Sequence, residues 1–267
     1  MDKEIAERIL NETEVGYDLI SKKFSETRKH FWRGLEFIKD YTRKNDNVLD
    51  YGCGNGRLLE LLDFEDIRYW GLDVSEKLIE LAKEKYQKQS VCHSGLDPES
   101  RFAFQSGKVL DSRFHGNDTE VCFQKINPSS TTLAFNDNFF NTIYSIAVFH
   151  HFPSKKYRED VAAELYRTTK DGGHIVVTVW YLWQQKYFKN ILQNWIDKLK
   201  GNSILDWNDC YISFTNNEGE KIQRFHRAFT KRELRKLFEQ AGFKTEKCAI
   251  VDGKNILFIG NKKGIRL

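Results

Sequence analysis

Seven consecutive residues constrain this chain most: Asp50-Tyr51-Gly52-Cys53-Gly54-Asn55-Gly56. They follow a short strand, Val48-Leu49-Asp50-Tyr51, and precede Arg57–Leu62, which reads as the opening of a helix. A loop with alternating glycines between strand and helix must turn sharply, and it lets a ligand touch the backbone. Amides at the start of the following helix can bind oxygens. An acid precedes the glycines, they alternate as GxGxG, and no third glycine falls at the dinucleotide spacing. Asp73 follows 23 residues after Asp50, at the end of a second strand, Ile67–Asp73. A carboxylate there can accept both hydroxyls of a ribose. The alternative is a tight turn followed by a surface Asp that caps a helix.

The surrounding pattern is α/β. Residues 1–45 read as helices, with Tyr17, Ile20, Phe24 and then Phe31, Leu35, Ile38 at spacings of three and four. Ser75 reads as an N-cap for a helix lined by Leu78, Ile79, Leu81 and Ala82. This βαβα start argues for a parallel sheet. Further strands are expected at Val121–Ile126, Thr142–Val148 and His174–Tyr181, the last after a turn at Asp171-Gly172-Gly173. Helices are expected at Tyr157–Thr168, Lys186–Leu199 and from Thr230 to Ala241. Residues 200–224 read as irregular, and a final hairpin turns at Asp252-Gly253.

Residues 90–119 interrupt the series with neither helical nor strand period. So long a loop is uncommon inside a domain. HSGLDPES and LDSRFHGND resemble translated bacterial repeat elements, which implies an insertion without selected function. Two domains are expected: a helical cap at 1–45 and a main domain at 46–267, with a substrate-side excursion at 182–228.

Charge and cysteine usage narrow the setting. The net charge is +4, but seven basic residues and one acid lie between Lys221 and Lys236, and eight basic residues and three acids between Lys22 and Lys44. Such runs are solvated helix faces or nucleic-acid contacts. Five cysteines without a CxxC pair suit free thiols in a reducing compartment. The charged N-terminus does not read as a signal peptide, and no apolar run reaches membrane-spanning length, so a cytoplasmic location without membrane association is expected. Cys92, His93, His115 and Cys122 match no zinc module, and no metal is expected.

With the acid-preceded glycine loop and Asp73 in place, the chain resembles the class I S-adenosylmethionine (SAM) dependent methyltransferases over about residues 46–261. The resemblance implies a Rossmann-like, mostly parallel seven-stranded sheet with an antiparallel last strand and helices on both faces. It implies SAM as cofactor. Asp50 would order the loop near the methionine amine, Gly52, Gly54 and Gly56 would admit the methionine part, and Asp73 would hold the ribose. Cys53, Asn55, Val74 and Ala147 would complete the donor contacts. The turn Gly172-Gly173 matches the family's glycine turn before its fifth strand.

A narrower likeness rests on Phe24-Ser25-Glu26-Thr27-Arg28, Trp32, Ser145–Phe152, Val179-Trp180 and Phe225-His226-Arg227-Ala228-Phe229 before Glu233-Leu234. These segments are similar to the tRNA wobble-uridine carboxymethyl methyltransferases, which esterify the carboxylate of 5-carboxymethyluridine. Arg28 would then pair with the methionine carboxylate, or it is one more charge on a helix. His150 and His151 either cap the fourth strand or contact the transfer pocket, where a base would be sought if the acceptor were an amine or phenol. Trp180 is core or substrate wall. His226 and Arg227 are solvated or bind tRNA phosphate. Two positions depart from the family pattern: Ser129 stands where an acid usually reads adenine, and Asn141 where an Asp is usual.

A carboxylate acceptor, with a pKa of about 4, is ionised near neutral pH and needs no general base. Two other readings remain: a methyltransferase for small molecules, and a non-catalytic protein of the same fold. Eukaryotic relatives in the tRNA family use a small activating partner, and the sequence leaves that need open here.

Overall fold

The computed structural model describes residues 1–27, 34–62, 67–87, 120–215 and 218–264. Arg28, Trp32 and the whole 90–119 segment, with Cys92, His93 and His115, lie outside the described residues. The main sheet runs β1 (Asn47–Tyr51), β2 (Arg68–Asp73), β3 (Glu120–Lys125), β4 (Phe140–Ile146), β5 (Thr169–Trp180), β8 (Lys244–Val251) and β9 (Asn255–Asn261). Its spatial order is β3-β2-β1-β4-β5-β9-β8. The first five strands pair in parallel, and β9 enters antiparallel between β5 and β8. This is the expected sheet. The chain order reverses between β1 and β4, and that crevice at the strand ends is where such sheets bind ligands.

Alternation along each strand explains why both faces are covered. Leu49 and Tyr51 of β1, Ile143 of β4, and Ile175, Val177 and Val179 of β5 pack with Val161 and Leu165 of α3 (Lys155–Thr168) and Leu234 and Phe238 of α5 (Lys231–Ala241). Val48, Tyr69, Tyr144 and Val176 point the other way, onto Ile79 and Ala82 of α2 (Glu76–Lys85) and Ile38 of a 3-10 turn, Glu36–Tyr41. Strands buried on both faces read as continuous apolar runs. The caps form as expected: the Ser75 and Thr230 side chains accept from Leu78 N and Glu233 N. Gly242 ends α5 at φ +116°, a conformation that costs glycine little.

Three local expectations change. Arg57–Glu60 is one 3-10 turn. Asp171-Gly172-Gly173 is a bulge inside β5, because Thr169 already pairs with Phe140 before the register shifts to His174 opposite Thr142. Residues 200–224 are not irregular throughout: β6 (Asp209–Thr215) and β7 (Lys221–Arg227) form an antiparallel hairpin. One side of it, Cys210 and Ile212, packs on Ile191 and Trp195 of α4 (Gln185–Leu199). Phe225 and Tyr211 pack with Ile9 of α1 (Lys3–Thr27). No helix among the described residues is long and apolar enough to cross a membrane.

Candidate active site

The glycine loop leaves β1 and folds back along β2. Gly52 N and Cys53 N both donate to Leu72 O, at 2.7 and 3.0 Å. Gly52, Gly54 and Gly56 have φ of +85°, +56° and +74°. A Cβ on Gly52 would lie 2.2 Å from Val148 Cγ2, and one on Gly56 would lie 2.9 Å from the Phe123 and Tyr86 rings. Left-handed backbone and close neighbours together require glycine at these two positions. The Asp73 carboxylate sits against the same loop: Oδ2 accepts from Gly54 N at 2.8 Å, and Oδ1 accepts from Ser75 N at 2.9 Å. A carboxylate offers about four lone-pair sites, so Asp73 retains capacity for two hydroxyls.

Loop and carboxylate face one cavity of about 1190 Å³, open mouth included. Asp50, Gly52, Cys53, Gly54, Asn55, Asp73, Val74 and Ala147 all line it, and His150, His151 and Trp180 line its other end. Gly56 stands behind the loop, its carbonyl accepting from Tyr86 Oη at 3.0 Å. Helix α1 closes the front. Asn55 Nδ2 donates to Ser25 Oγ at 2.9 Å, Ser75 Oγ donates to Asp18 Oδ1 at 2.5 Å, and the Phe24 ring lies beside Gly54. A cradle of bare backbone, a buried acid one strand over and open space between them fit an aminoacyl nucleoside such as SAM.

Both acids are poised by burial. Asp50 is buried, accepts from Tyr69 Oη at 2.7 Å, and its pKa is pushed up to about 7 by desolvation. Desolvation raises Asp73 to about 6, against the lowering effect of its backbone amides. Ribose hydroxyls are better accepted by the ionised carboxylate. The affinity for S-adenosylhomocysteine should therefore rise as pH increases from 5 to 7, because the Asp73 proton is lost over that range. Calorimetric titration at several pH values measures this, and a flat profile contradicts the ribose contact. The sign for folding is opposite: a native pKa raised above the unfolded value stabilises at low pH, and that stabilisation fades as pH rises through about 6 to 7.

At the far end of the cavity three histidines converge. His150 stacks on Trp180 and His226 with centroids 5.3 and 5.4 Å apart, and His151 lies 4.7 Å from His226. Burial holds all three well below the usual histidine pKa, His226 down to about 3, so they are neutral. Their hydrogen bonds then fix the tautomers. His151 Nδ1–H donates to Phe225 O at 3.1 Å while Nε2 accepts from Tyr17 Oη at 2.8 Å. His226 Nδ1–H donates to Arg224 O at 3.0 Å. Trp180 N–H donates to His150 Nδ1 at 3.3 Å, which places the His150 proton on Nε2. Two buried ring atoms are left without a partner, a donor at His150 Nε2 and an acceptor at His226 Nε2. The trio is the one group among the described residues close enough to share a metal. Yet His151 Nε2 is already engaged, and the Arg224 guanidinium nearby disfavours a cation.

Several expected residues fall elsewhere. Ser129 is exposed in a turn where its N–H donates to Asn127 Oδ1 at 2.8 Å, and Ile126 and Pro128 face the cavity instead. Arg227 is not a free phosphate ligand: it bonds Glu233 at 2.8 and 2.9 Å and Asp209 at 3.1 Å, tying β7 to α5. His226 is fully buried and not solvated. Asn141 Oδ1 accepts from Asn47 N and Lys170 Nζ, a joint between β1 and β5. Tyr17, which lines the cavity end, and Arg224, whose guanidinium lies over the Tyr17 ring, escape sequence reasoning. Tyr17 fits the helical pattern as a core residue, and Arg224 lies in a basic run that reads as solvated.

The family model for the methyltransferase domain matches residues 24–247. A tRNA (carboxymethyluridine(34)-5-O)-methyltransferase of Arabidopsis thaliana is 25% identical over 191 residues, covering 72% of this chain and 37% of that protein. The Saccharomyces cerevisiae protein of the same name is 28% identical over 170 residues, covering 63% of this chain and 47% of its own. This chain thus spans less than half the length of either relative. A SAM-dependent methyltransferase of Methanosarcina mazei superposes with a TM-score of 0.63 at 18% identity, over 88% of this chain and 99% of that one, a likeness of fold.

Proposed function

The chain belongs to the SAM-dependent methyltransferase family, and from that premise we propose that it methylates the carboxylate of a 5-carboxymethyluridine at the tRNA wobble position. The observation that carries this reading is the acceptor end of the cavity, lined by Trp180 and by His150 and His151, two neutral histidines whose lone pairs are engaged by Trp180 N–H and Tyr17 Oη. SAM supplies an electrophilic methyl group on a sulfonium. The remaining work is placement, since a carboxylate acceptor is already ionised and in-line geometry dominates the rate. In this reading the Gly52–Gly54 backbone and Asp50 seat the methionine end, and Asp73 with Val74 seats the ribose. The apolar Ala147, Ile126 and Pro128 flank the base. Trp180 lines the cavity with its ring stacked among His150, His226 and Tyr187, a firm wall for the acceptor. His150 and His151 position and do not deprotonate: their unprotonated ring nitrogens already accept from Trp180 N–H and Tyr17 Oη, and burial makes them weak bases.

The surface supports an RNA partner. Of the seven cations between Lys221 and Lys236, Lys221, Lys231, Arg232, Arg235 and Lys236 are exposed on β7 and α5, while Arg224 and Arg227 turn inward. Phosphate contacts of this kind make binding salt-sensitive.

Incubating the chain with labelled SAM and total tRNA, followed by nucleoside analysis, tests the proposal. The expected product is the methyl ester of 5-carboxymethyluridine, its label lost on ribonuclease digestion. Unlabelled tRNA alongside methyl incorporation in a nucleic-acid-free metabolite extract would replace it with a small-molecule acceptor.

A further inference from the structure

Arg224 is the least explained charge in the described structure. It is 4% exposed, yet its Nε and Nη1 have no hydrogen-bond partner. Among the described residues no carboxylate lies within ion-pair distance of it, whereas its neighbour in sequence Arg227 holds two. Instead its guanidinium carbon lies over two rings, Tyr17 at 5.0 Å and Phe214 at 4.8 Å. Rings on either side stabilise the cation and hold the guanidinium, but they satisfy none of its N–H groups. A buried charge without an acceptor is costly and persists where something else supplies the anion.

The place of that anion follows from the neighbours. Arg224 stands behind Tyr17, its guanidinium over that ring, and close enough to the three buried histidines for its charge to lower their pKa values. Tyr17, which carries the guanidinium, also bonds His151 and lines the cavity. The His150 Nε2–H, likewise buried and unpartnered, adds a second donor at that end. An arginine fork suits the two oxygens of a carboxylate.

We infer that Arg224, with the His150 Nε2–H, is the receptor for a carboxylate on the methyl acceptor, a role that rests on the proposed acceptor chemistry. The unpaired guanidinium then selects acids over their neutral analogues, and it orients the carboxylate so that a free lone pair of one oxygen faces the donor. Arg224 is in this sense a specificity residue of the acceptor site.

The test uses the full chain saturated with S-adenosylhomocysteine and two nucleosides, 5-carboxymethyluridine and its amide, 5-carbamoylmethyluridine, titrated by calorimetry. The wild type should bind the acid at least about tenfold more tightly than the amide, a difference of about 1.4 kcal/mol. Arg224→Gln should abolish that preference and leave the affinity for S-adenosylhomocysteine unchanged. No preference in the wild type overturns the inference, whether or not the variant folds. A preserved preference in R224Q overturns it too. Weaker S-adenosylhomocysteine binding in R224Q with the preference intact would assign the guanidinium to the methionine carboxylate instead. Should tRNA take no label while the acid is still preferred through Arg224, the tRNA reading falls and the carboxylate receptor stands.

Discussion

Asp73→Ala should weaken S-adenosylhomocysteine binding by roughly 100-fold or more. Asp73 touches two things at once. Its oxygens accept from Gly54 N and Ser75 N, and the same carboxylate faces the space where a ribose would lie. Hydrogen bonds to a charged group contribute roughly 1.5–3 kcal/mol each, and every 1.4 kcal/mol is about tenfold in affinity. Alanine removes the ribose acceptors and also frees the Gly54 amide, so the loop loses one of its ties to β2 and keeps those to Leu72 O. Asp73→Asn keeps one carbonyl acceptor and should fall between. Calorimetry gives the affinities, and the melting temperature of each variant separates lost contacts from lost fold. Unchanged affinity in D73A at unchanged stability would remove the ribose role.

The second large effect belongs to Gly52. Alanine there meets two independent penalties. The backbone sits at φ +85°, where a side chain costs roughly 1–3 kcal/mol. The new Cβ would also lie 2.2 Å from Val148 Cγ2, and overpacking of this kind costs roughly another 1–3 kcal/mol. Relief requires the loop or Val148 to move, and both line the donor cavity. Gly52→Ala should therefore lower the melting temperature by several degrees and methyl transfer by about 100-fold or more. Gly172 is the control. Its φ is +78°, but a Cβ there would meet nothing within 4 Å, so Gly172→Ala should show the backbone penalty alone. Adding Val148→Ala to G52A should restore part of the lost stability. No recovery in the double variant would show that the contact with Val148 is not the source of the defect.

The sheet is legible in the sequence because its strands obey simple rules. Continuous apolar runs such as Thr142–Val148 mark strands covered on both faces, and Ser75, Thr230 and Gly242 punctuate helices as local chemistry dictates. The donor loop is legible for a related reason: only glycine tolerates the conformations at Gly52 and Gly56, so the requirement is written in residue type. The β6–β7 hairpin is not legible. Its buried positions include Arg224 and His226, polar residues that break the apolar alternation. The same cause hides the role of Arg227, whose two acids come from β6 and α5, 18 residues back and 6 ahead. Counting back from Leu133-Ala134-Phe135 points to Ser129, but an Asn127 side-chain turn holds it at the exposed surface. Long-range partners and turn geometry, not composition, decide these residues.

The donor pocket itself admits a direct check: a crystal structure of the full chain bound to S-adenosylhomocysteine. The expected result places the ribose hydroxyls within hydrogen-bond distance of the Asp73 carboxylate and the homocysteine end against the Gly52–Gly54 backbone. Ligand density on another face of the sheet, or an Asp73 side chain with no contact to the sugar, would contradict the donor site.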